Sequence, residues 1–141
     1  MPDEIPPVLQ VLETALYCDD LARTAKFYRE LFGLQPLVDT PRLCALDVNG
    51  RNLLLLFQKG ATVDGLKTDG GWIPPHDGHG PVHFAFAIEA KDVDRWISHL
   101  RRHGVEIDGR TTWERGGTSL YFRDPDNHSV ELVTQNTWRT F

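Results

Sequence analysis

The sequence predicts an α+β fold of two tandem βαβββ modules that form a curved, open, barrel-like mixed sheet with helices outside. Short runs in which apolar and polar residues alternate are typical of half-buried strands. Two longer stretches carry apolar residues at helical spacing and are typical of amphipathic helices. The same order of strand, helix and strands recurs after residue 80, so the 141-residue chain is interpreted as an internal repeat.

The first module is predicted over residues 1–58. Residues 8–18 alternate as a strand does, and a helix follows that Asp19 or Asp20 can cap and that Gly33 can end. Two apolar runs, 43–48 and 53–57, flank an Asn-Gly turn and predict a hairpin. Residues 36–39 are counted as a weak strand, which completes the βαβββ order.

The second module is predicted over residues 81–135, followed by a C-terminal tail at 136–141. Its first strand, 82–88, alternates like the first strand of the chain. A helix follows and ends at Gly104. Its last two strands lie in SLYFRDPDNHSVELV, residues 119–133, on either side of a Pro/Asp/Asn turn.

The segment between the modules, residues 59–80, has no periodicity and reads KGATVDGLKTDGGWIPPHDGHG. Long connections of this kind are often functional. Trp72 and Ile73 are an apolar pair that a solvated linker does not need, so we expect a flap over a cavity. The alternative is an inert linker. His76 and His79 in this segment could form a second metal site, but two histidines in a loop are usually solvated.

Composition excludes several classes of partner. The formal net charge of −5 argues against nucleic acid or an anionic membrane as a partner, because a protein that binds either one needs basic surface patches to neutralise phosphate. Two cysteines, Cys18 and Cys44, are too few for a disulfide framework and suit a reducing compartment. The sequence MPDEIPPVLQ lacks the features of a signal peptide, so we expect a soluble cytoplasmic protein.

Three polar residues occupy equivalent faces of the predicted strands, each with apolar neighbours that point the other way: Glu13, His83 and Glu131. Taken singly, each has an ordinary interpretation as a solvated glutamate or a hydrogen-bonded histidine. Together, an imidazole and two carboxylates on one concave face would form a divalent-cation site, because a metal offsets the repulsion between the carboxylates. We therefore predict a metal site.

The segments ETALYCDDLARTAKFYRELFGL, GPVHFAFAI and SLYFRDPDNHSVEL resemble the vicinal oxygen chelate superfamily. That superfamily includes glyoxalase I, methylmalonyl-CoA epimerase, extradiol dioxygenases, fosfomycin-resistance enzymes and bleomycin-binding proteins. The resemblance covers about residues 8–134. It implies the two-module fold specifically, whereas the superfamily supports many reactions on that fold.

The resemblance implies that Glu13, His83 and Glu131 are the metal positions. Relatives usually have His or Gln where this chain has Glu13. Glu13 is therefore the third ligand, or it acts as a general base beside the metal, or it leaves the site empty. If Glu13 is a ligand, the site consists of one imidazole and two carboxylates, and this set favours Mn, Fe(II) or Mg over Zn. The fourth ligand of glyoxalase I and the epimerase falls at Leu54, which cannot ligate a metal, so the chain resembles the three-ligand members.

Other residues are assigned roles beside that site. Tyr121 matches a tyrosine near the substrate of fosfomycin-resistance enzymes and could donate a proton. Arg115 and Arg123 could meet an anionic substrate, although a surface arginine is the more ordinary interpretation of both, and Trp72 could contact it from the flap. His128 is expected to serve the turn before the last strand.

The sequence thus favours a divalent-metal-dependent enzyme that acts on a small oxygen-bearing molecule by Lewis-acid catalysis, as a lyase or a transferase/hydrolase. One alternative is an extradiol-type dioxygenase. Another is a metal-free protein that binds a small molecule or antibiotic, as bleomycin-resistance proteins do. Because relatives pair modules within or between chains, we expect a homodimer with ligands possible from both chains.

Overall fold

The computed structural model describes residues 4–141, and the chain folds into the two βαβββ modules that the repeat predicts. The first three residues of the predicted first module lie outside the described residues. Within 4–141, no helix is both long enough and apolar enough to cross a membrane. The strands of these described residues form two separate four-stranded mixed sheets and one two-stranded sheet, with no closed barrel.

The first module contains β1 (Glu13–Cys18), α1 (Leu21–Phe32), β2 (Pro36–Asp39), β3 (Leu43–Val48) and β4 (Asn52–Gln58). The strand order is β1-β4-β3-β2, and β1 runs parallel to β4. The predicted Asn49-Gly50 turn is present, with φ of 55° and 66°, the left-handed pair that a tight hairpin needs.

The two ends of α1 follow from its flanking residues. The Asp20 carboxylate accepts a hydrogen bond from the Arg23 backbone N–H at 3.1 Å, which caps the first turn. Gly33 takes the left-handed conformation, φ 66°, and ends the helix. The predicted start of β1 at residue 8 is wrong, because residues 8–12 precede the sheet and Val8 and Leu9 are 89% and 91% exposed.

The connection between the modules contains a hairpin that the sequence pattern did not predict. Its strands are β5 (Leu66–Thr68) and β6 (Gly71–Ile73), paired antiparallel. The Trp72 ring lies across Gly65, where a Cβ would come within 2.5 Å of it. Only glycine permits that approach. Even so, Trp72 remains 59% exposed.

The second module contains β7 (His83–Ala87), a short 3-10 turn (Ala90–Asp92), α2 (Val93–Arg102), β8 (Gly109–Thr112), β9 (Thr118–Arg123) and β10 (Ser129–Val133). Its sheet order, β7-β10-β9-β8, repeats that of the first module, and β7 runs parallel to β10. The two sheets are therefore equivalent in topology.

Both modules share one hydrophobic core. The aromatic rings of α1 reach the second sheet: the Phe32 ring centroid lies 4.8 Å from that of Phe86, and the Tyr28 centroid lies 6.2 Å from that of Phe84. The core occupies one side of each sheet. The other side, called here the outer face, carries Glu13 in the first sheet and His83 in the second, and both residues are exposed.

A buried polar cluster, called here the clasp, joins the last hairpin to α1 and consists of Tyr28, Asp124 and His128. The Tyr28 hydroxyl donates to Asp124 Oδ2 at 2.7 Å, and His128 Nδ1 lies 2.7 Å from the same oxygen. Asp124 Oδ1 accepts from the backbone N–H groups of Asp126 and His128. His128 thus serves the turn, as expected, and also ties the second module to the first.

The clasp shifts the titration of its members. Burial of the His128 imidazole opposes its charging, but the hydrogen bond to Asp124 and the negative charge of that residue raise the pKa of His128 above its usual 6.5 overall. Burial, and then the charge of Asp124, raise the pKa of the Tyr28 phenol well above its usual value. Tyr28 therefore remains a neutral donor.

Candidate functional site

A histidine and a carboxylate meet on the outer face of the second sheet. His83 on β7 lies opposite Ser129 on the parallel strand β10, and two residues further along Glu131 projects to the same face. His83 Nε2 lies 3.1 Å from Glu131 Oε1. The structure thus brings together two of the three residues that the sequence singles out as metal ligands.

The backbone fixes which nitrogen of His83 carries hydrogen. His83 Nδ1 lies 3.0 Å from the Ser129 carbonyl oxygen, which can only accept, so Nδ1 is the donor. In the neutral ring, Nε2 then presents a lone pair to Glu131 Oε1, and two acceptors face each other. A cation between them, or a second proton on the ring, removes that conflict. The donor set of one imidazole nitrogen and one carboxylate oxygen therefore fits a divalent metal ion.

The second carboxylate oxygen of Glu131 accepts a hydrogen bond from a serine, and that serine accepts one from a tryptophan. Ser119 Oγ lies 2.5 Å from Glu131 Oε2, and the Trp113 indole Nε1–H donates to Ser119 Oγ at 2.8 Å. Glu131 is only 8% exposed, so its carboxylate depends on these partners for stabilisation. Neither Ser119 nor Trp113 was predicted to support Glu131. The signal for Ser119 was its place two residues before Tyr121, on the same face of β9.

Tyr121 lies beside this pair. It stands directly opposite Glu131 in the antiparallel register of β9 and β10, and its ring centroid is 6.2 Å from that of His83. The side chain is half-buried. Its phenol is therefore close enough to the His83–Glu131 pair to contact a small molecule bound there.

Glu13 lies on the other sheet. It occupies the exposed outer face of β1 together with Ala15 and Tyr17. Among residues 4–141, no group of three or more His, Cys, Asp or Glu side chains is arranged to hold a metal ion. The described residues of one chain therefore do not bring Glu13 together with His83 and Glu131, since Glu13 stands on the first sheet and the other two stand on the second.

The strand registers also correct the position equivalent to Glu131 in the first module. His83 pairs with Ser129, so Glu131 is two residues beyond the partner of His83. Glu13 pairs with Leu53, which makes Leu55 the equivalent position rather than Leu54. Leu54 points into the core and is 1% exposed. Leu55 cannot ligate a metal either, so this position still supplies no fourth ligand.

Two arginines and a tryptophan predicted to meet substrate lie at exposed positions. Arg123 donates to Asp108 Oδ2 through Nε and to the Asn127 carbonyl through Nη1, both at 3.2 Å, so its guanidinium braces the last hairpin. Arg115 is exposed in the turn between β8 and β9, and Trp72 is exposed on the β5–β6 hairpin. Contact of these three residues with substrate remains a prediction.

His76 is not simply solvated, as the sequence suggested. Its Nδ1 lies 2.6 Å from the Tyr17 hydroxyl, and its ring centroid lies 4.8 Å from that of Phe57. Burial, and then the negative charge of Asp77, raise the pKa of Tyr17. One end of the 59–80 connection is thereby fixed to the outer face of the first sheet. The contact is not visible in sequence, because it joins residues far apart in the chain.

A known protein family matches most of the chain. The model of the Glyoxalase/Bleomycin resistance protein/Dioxygenase superfamily matches residues 10–132. The chain belongs to this superfamily. The resemblance drawn from the sequence motifs is thus confirmed, and so is the predicted fold class.

Curated relatives within the superfamily include a metallothiol transferase FosB from Lysinibacillus sphaericus, 34% identical over 82% of this chain and 74% of that protein. A fosfomycin resistance protein FosX from Listeria monocytogenes is 31% identical over 83% of each chain. Among solved structures, a lactoylglutathione lyase from Agrobacterium tumefaciens is 32% identical, with a TM-score of 0.86, over 95% of this chain and 99% of that one. The chain is accordingly an enzyme of the superfamily, as its sequence favoured.

Proposed function

We propose that the chain is a divalent-metal-dependent enzyme that transfers a nucleophile to a small oxygen-bearing molecule, with fosfomycin as the first substrate to test. One observation carries the proposal: His83 Nε2 and Glu131 Oε1 converge to 3.1 Å while the far atom of each group is anchored by another partner. Similarity to a metallothiol transferase and a fosfomycin resistance protein supports the substrate class.

The third ligand in this proposal is Glu13 of a second copy of the chain. Glu13 is exposed on an outer face, and β1 holds the same place in its sheet as β7 does in the other. A homodimer that brings these two faces together would unite Glu13 with His83 and Glu131. One imidazole and two carboxylates favour Mn²⁺, Fe²⁺ or Mg²⁺ over Zn²⁺.

The side chains of the protein would then have separate roles in the reaction. When bound, the cation supplies Lewis-acid stabilisation of negative charge on a substrate oxygen. Tyr121 holds a proton at its phenolic oxygen and donates it toward that oxygen. Leu53, Leu55 and Phe57 lie on the outer face of the first sheet, and they exclude water from a site formed where the two faces meet.

Metal binding tests the site directly. In calorimetric titration with Mn²⁺, we expect saturable binding by the wild type and loss of binding in His83→Ala and Glu131→Gln. His79→Ala is the control, because His79 is an exposed histidine of the inter-module connection. Retention of wild-type affinity in both ligand variants would exclude the site and would favour the metal-free binding protein.

Phosphorus NMR tests the reaction. Fosfomycin is incubated with the Mn²⁺-loaded protein, with and without a small thiol such as cysteine. A thiol-dependent product indicates transfer, and a thiol-independent diol indicates hydration. An unchanged spectrum in both arms, with metal bound, would refute fosfomycin as substrate. Stoichiometric Fe²⁺ with oxygen uptake on catechols would instead establish the dioxygenase alternative.

Mixing two inactive variants tests whether the site is shared. Glu13→Ala and His83→Ala each damage every site of their own homodimer, but a heterodimer of the two has one intact site. Random re-association should restore up to about a quarter of wild-type activity. No recovery in a mixture shown to contain heterodimers would mean that Glu13 belongs to no shared site.

The likeness to a lactoylglutathione lyase supports a second candidate, a glyoxalase-type reaction on a thiol adduct, because that structure matches over nearly the whole chain. Formation of lactoylglutathione from methylglyoxal and glutathione is the corresponding assay. Turnover there without turnover of fosfomycin would replace the first substrate with the second and leave the metal site in place.

A further inference from the structure

We infer that Ser119, held in place by the Trp113 indole, is a positioning residue that fixes the carboxylate of Glu131. The inference deepens the proposed function and rests on it, since the carboxylate is the one assigned to the metal. It is drawn from a row of close polar contacts, two hydrogen bonds and the approach of Glu131 Oε1 to His83, that runs from Trp113 Nε1 through Ser119 Oγ and Glu131 to His83 Nε2.

The direction of each bond in this row is set by the chemistry of its ends. An indole N–H can only donate, so Ser119 Oγ must accept from Trp113. A carboxylate can only accept, so the single hydroxyl hydrogen of Ser119 must point at Glu131 Oε2. The serine hydroxyl is therefore locked at both ends, and Oε2 is occupied. Oε1 is left facing His83 Nε2.

Burial makes the lock effective. Ser119 has no exposed surface, so water does not compete for its hydroxyl. Hydrogen bonds to an ionised group are short and strong, and the 2.5 Å separation between Ser119 Oγ and Glu131 Oε2 is of that kind. Without the serine, the Glu131 side chain gains rotational freedom, and a cation has to restrict it again on binding.

Trp113 is itself held by a tight turn. Its backbone N–H donates to the Gly117 carbonyl at 2.8 Å, and its carbonyl accepts from the Gly116 N–H at 2.9 Å. Gly116 has φ 100°, a conformation that side chains other than hydrogen rarely permit. The turn between β8 and β9 thus fixes the backbone of Trp113, from which the indole N–H reaches Ser119 Oγ. Two residues of β9 on the outer face thus have distinct roles, since Tyr121 lies beside the His83–Glu131 pair while Ser119 donates to the far oxygen of Glu131.

The first test measures Mn²⁺ affinity by calorimetry. Ser119→Ala should weaken binding by about 10- to 100-fold, as loss of a group that orients a ligand does. Ser119→Thr keeps the hydroxyl and should recover most of that affinity. Trp113→Phe keeps an aromatic ring but removes the indole N–H, and should weaken binding by about 2- to 10-fold, the equivalent of one hydrogen bond. Trp138→Phe, at a 70% exposed tryptophan, is the matched control and should change nothing.

The second test needs no metal. The chain has four tryptophans, so ¹⁵N NMR resolves four indole N–H signals, and substitution identifies the one from Trp113. Glu131→Gln should shift the Trp113 signal although the two side chains touch only through Ser119. In a Ser119→Ala background, the same change should leave that signal in place.

The outcomes separate the two hypotheses. If the wild type binds no Mn²⁺ but the Trp113 signal responds to Glu131→Gln through Ser119, the positioning stands and the proposed metal function fails. If the wild type binds Mn²⁺ and Ser119→Ala binds it equally well, the positioning role is overturned and the metal site stands. A folded Ser119→Thr protein as weak as Ser119→Ala would likewise count against the hydroxyl.

Discussion

Replacing Asp124 by asparagine should destabilise the protein more than any exposed substitution, because Asp124 is the common acceptor of the clasp. Its two oxygens accept four hydrogen bonds: from the Tyr28 hydroxyl and His128 Nδ1 at 2.7 Å each, and from the backbone N–H groups of Asp126 and His128 at 2.9 and 3.0 Å. Asparagine has the same shape but only one acceptor oxygen. Whichever way its amide turns, two of the four hydrogen bonds to a carboxylate oxygen are lost: those from the two backbone N–H groups, or those from His128 Nδ1 and the Tyr28 hydroxyl.

The expected loss follows from those two bonds. A hydrogen bond to a charged group contributes about 1.5–3 kcal/mol, so two together contribute about 3–6 kcal/mol. A domain of this kind has a free energy of unfolding of about 5–15 kcal/mol, so the variant loses a large fraction of it. At roughly 2–4 °C per kcal/mol, the melting temperature should fall by roughly 6–24 °C.

Equilibrium unfolding in urea, followed by circular dichroism, measures this loss. Tyr28→Phe removes one of the four bonds and should cost about 1.5–3 kcal/mol, roughly half as much. Asp69→Asn, at an exposed aspartate of the β5–β6 hairpin, should stay within about 0.5 kcal/mol of wild type. A loss in Asp124→Asn no larger than that of the exposed control would show that the clasp contributes nothing to stability.

Three further predictions follow from described contacts. Because the pKa of His128 is raised in the folded state, its pairing with Asp124 stabilises the protein fully below about pH 6.5 and loses that contribution as pH rises through the folded pKa. The difference in unfolding free energy between wild type and His128→Gln should therefore be largest at acid pH. A difference that grows with pH would contradict the assignment. Burial, and then the charges of Asp126 and Asp124, raise the pKa of the Cys18 thiol. Iodoacetamide should therefore label Cys18 only as urea unfolds the chain. Rapid labelling of the native protein would contradict its burial. A Cβ at Gly78 would lie 2.5 Å from the Tyr17 ring, so Gly78→Ala should release the His76 end of the connection and speed proteolysis within residues 59–80. Gly70→Ala is the control, because the atom nearest to a Cβ there is 3.8 Å away. Equal rates of proteolysis for the two variants would refute the docking of His76 on Tyr17.

The local elements of the fold could be predicted because their signals are local. The ends of α1 follow from Asp20 and Gly33, and the β3–β4 hairpin follows from Asn49-Gly50. The start of β1 was misplaced because the alternation of residues 8–12 continues beyond the point where β4 offers a partner. The β5–β6 hairpin was missed because its strands are three residues each, too short to show a period.

The site was predictable only in part, for a related reason. Period two places His83 and Glu131 on outward-facing positions, but the bonds that define their chemistry depend on register between strands that are distant in sequence. The position of Leu55 as the equivalent of Glu131, the contact of His76 with Tyr17, and the support of Glu131 by Ser119 are all of that kind. The spacing of repeated residues along the sequence does not show which residues of two strands pair, and a shift of one residue changes the face that each side chain occupies.

The shared core has a consequence for how the chain is made. Tyr28 and Phe32 belong to the first module, yet the rings they pack against, Phe84, Phe86 and Phe122, are synthesised much later. Until the last hairpin leaves the ribosome, α1 therefore exposes an aromatic surface that a chaperone could recognise. We expect that the two halves of the repeat, despite their matching topology, cannot be cut apart into independently folding proteins.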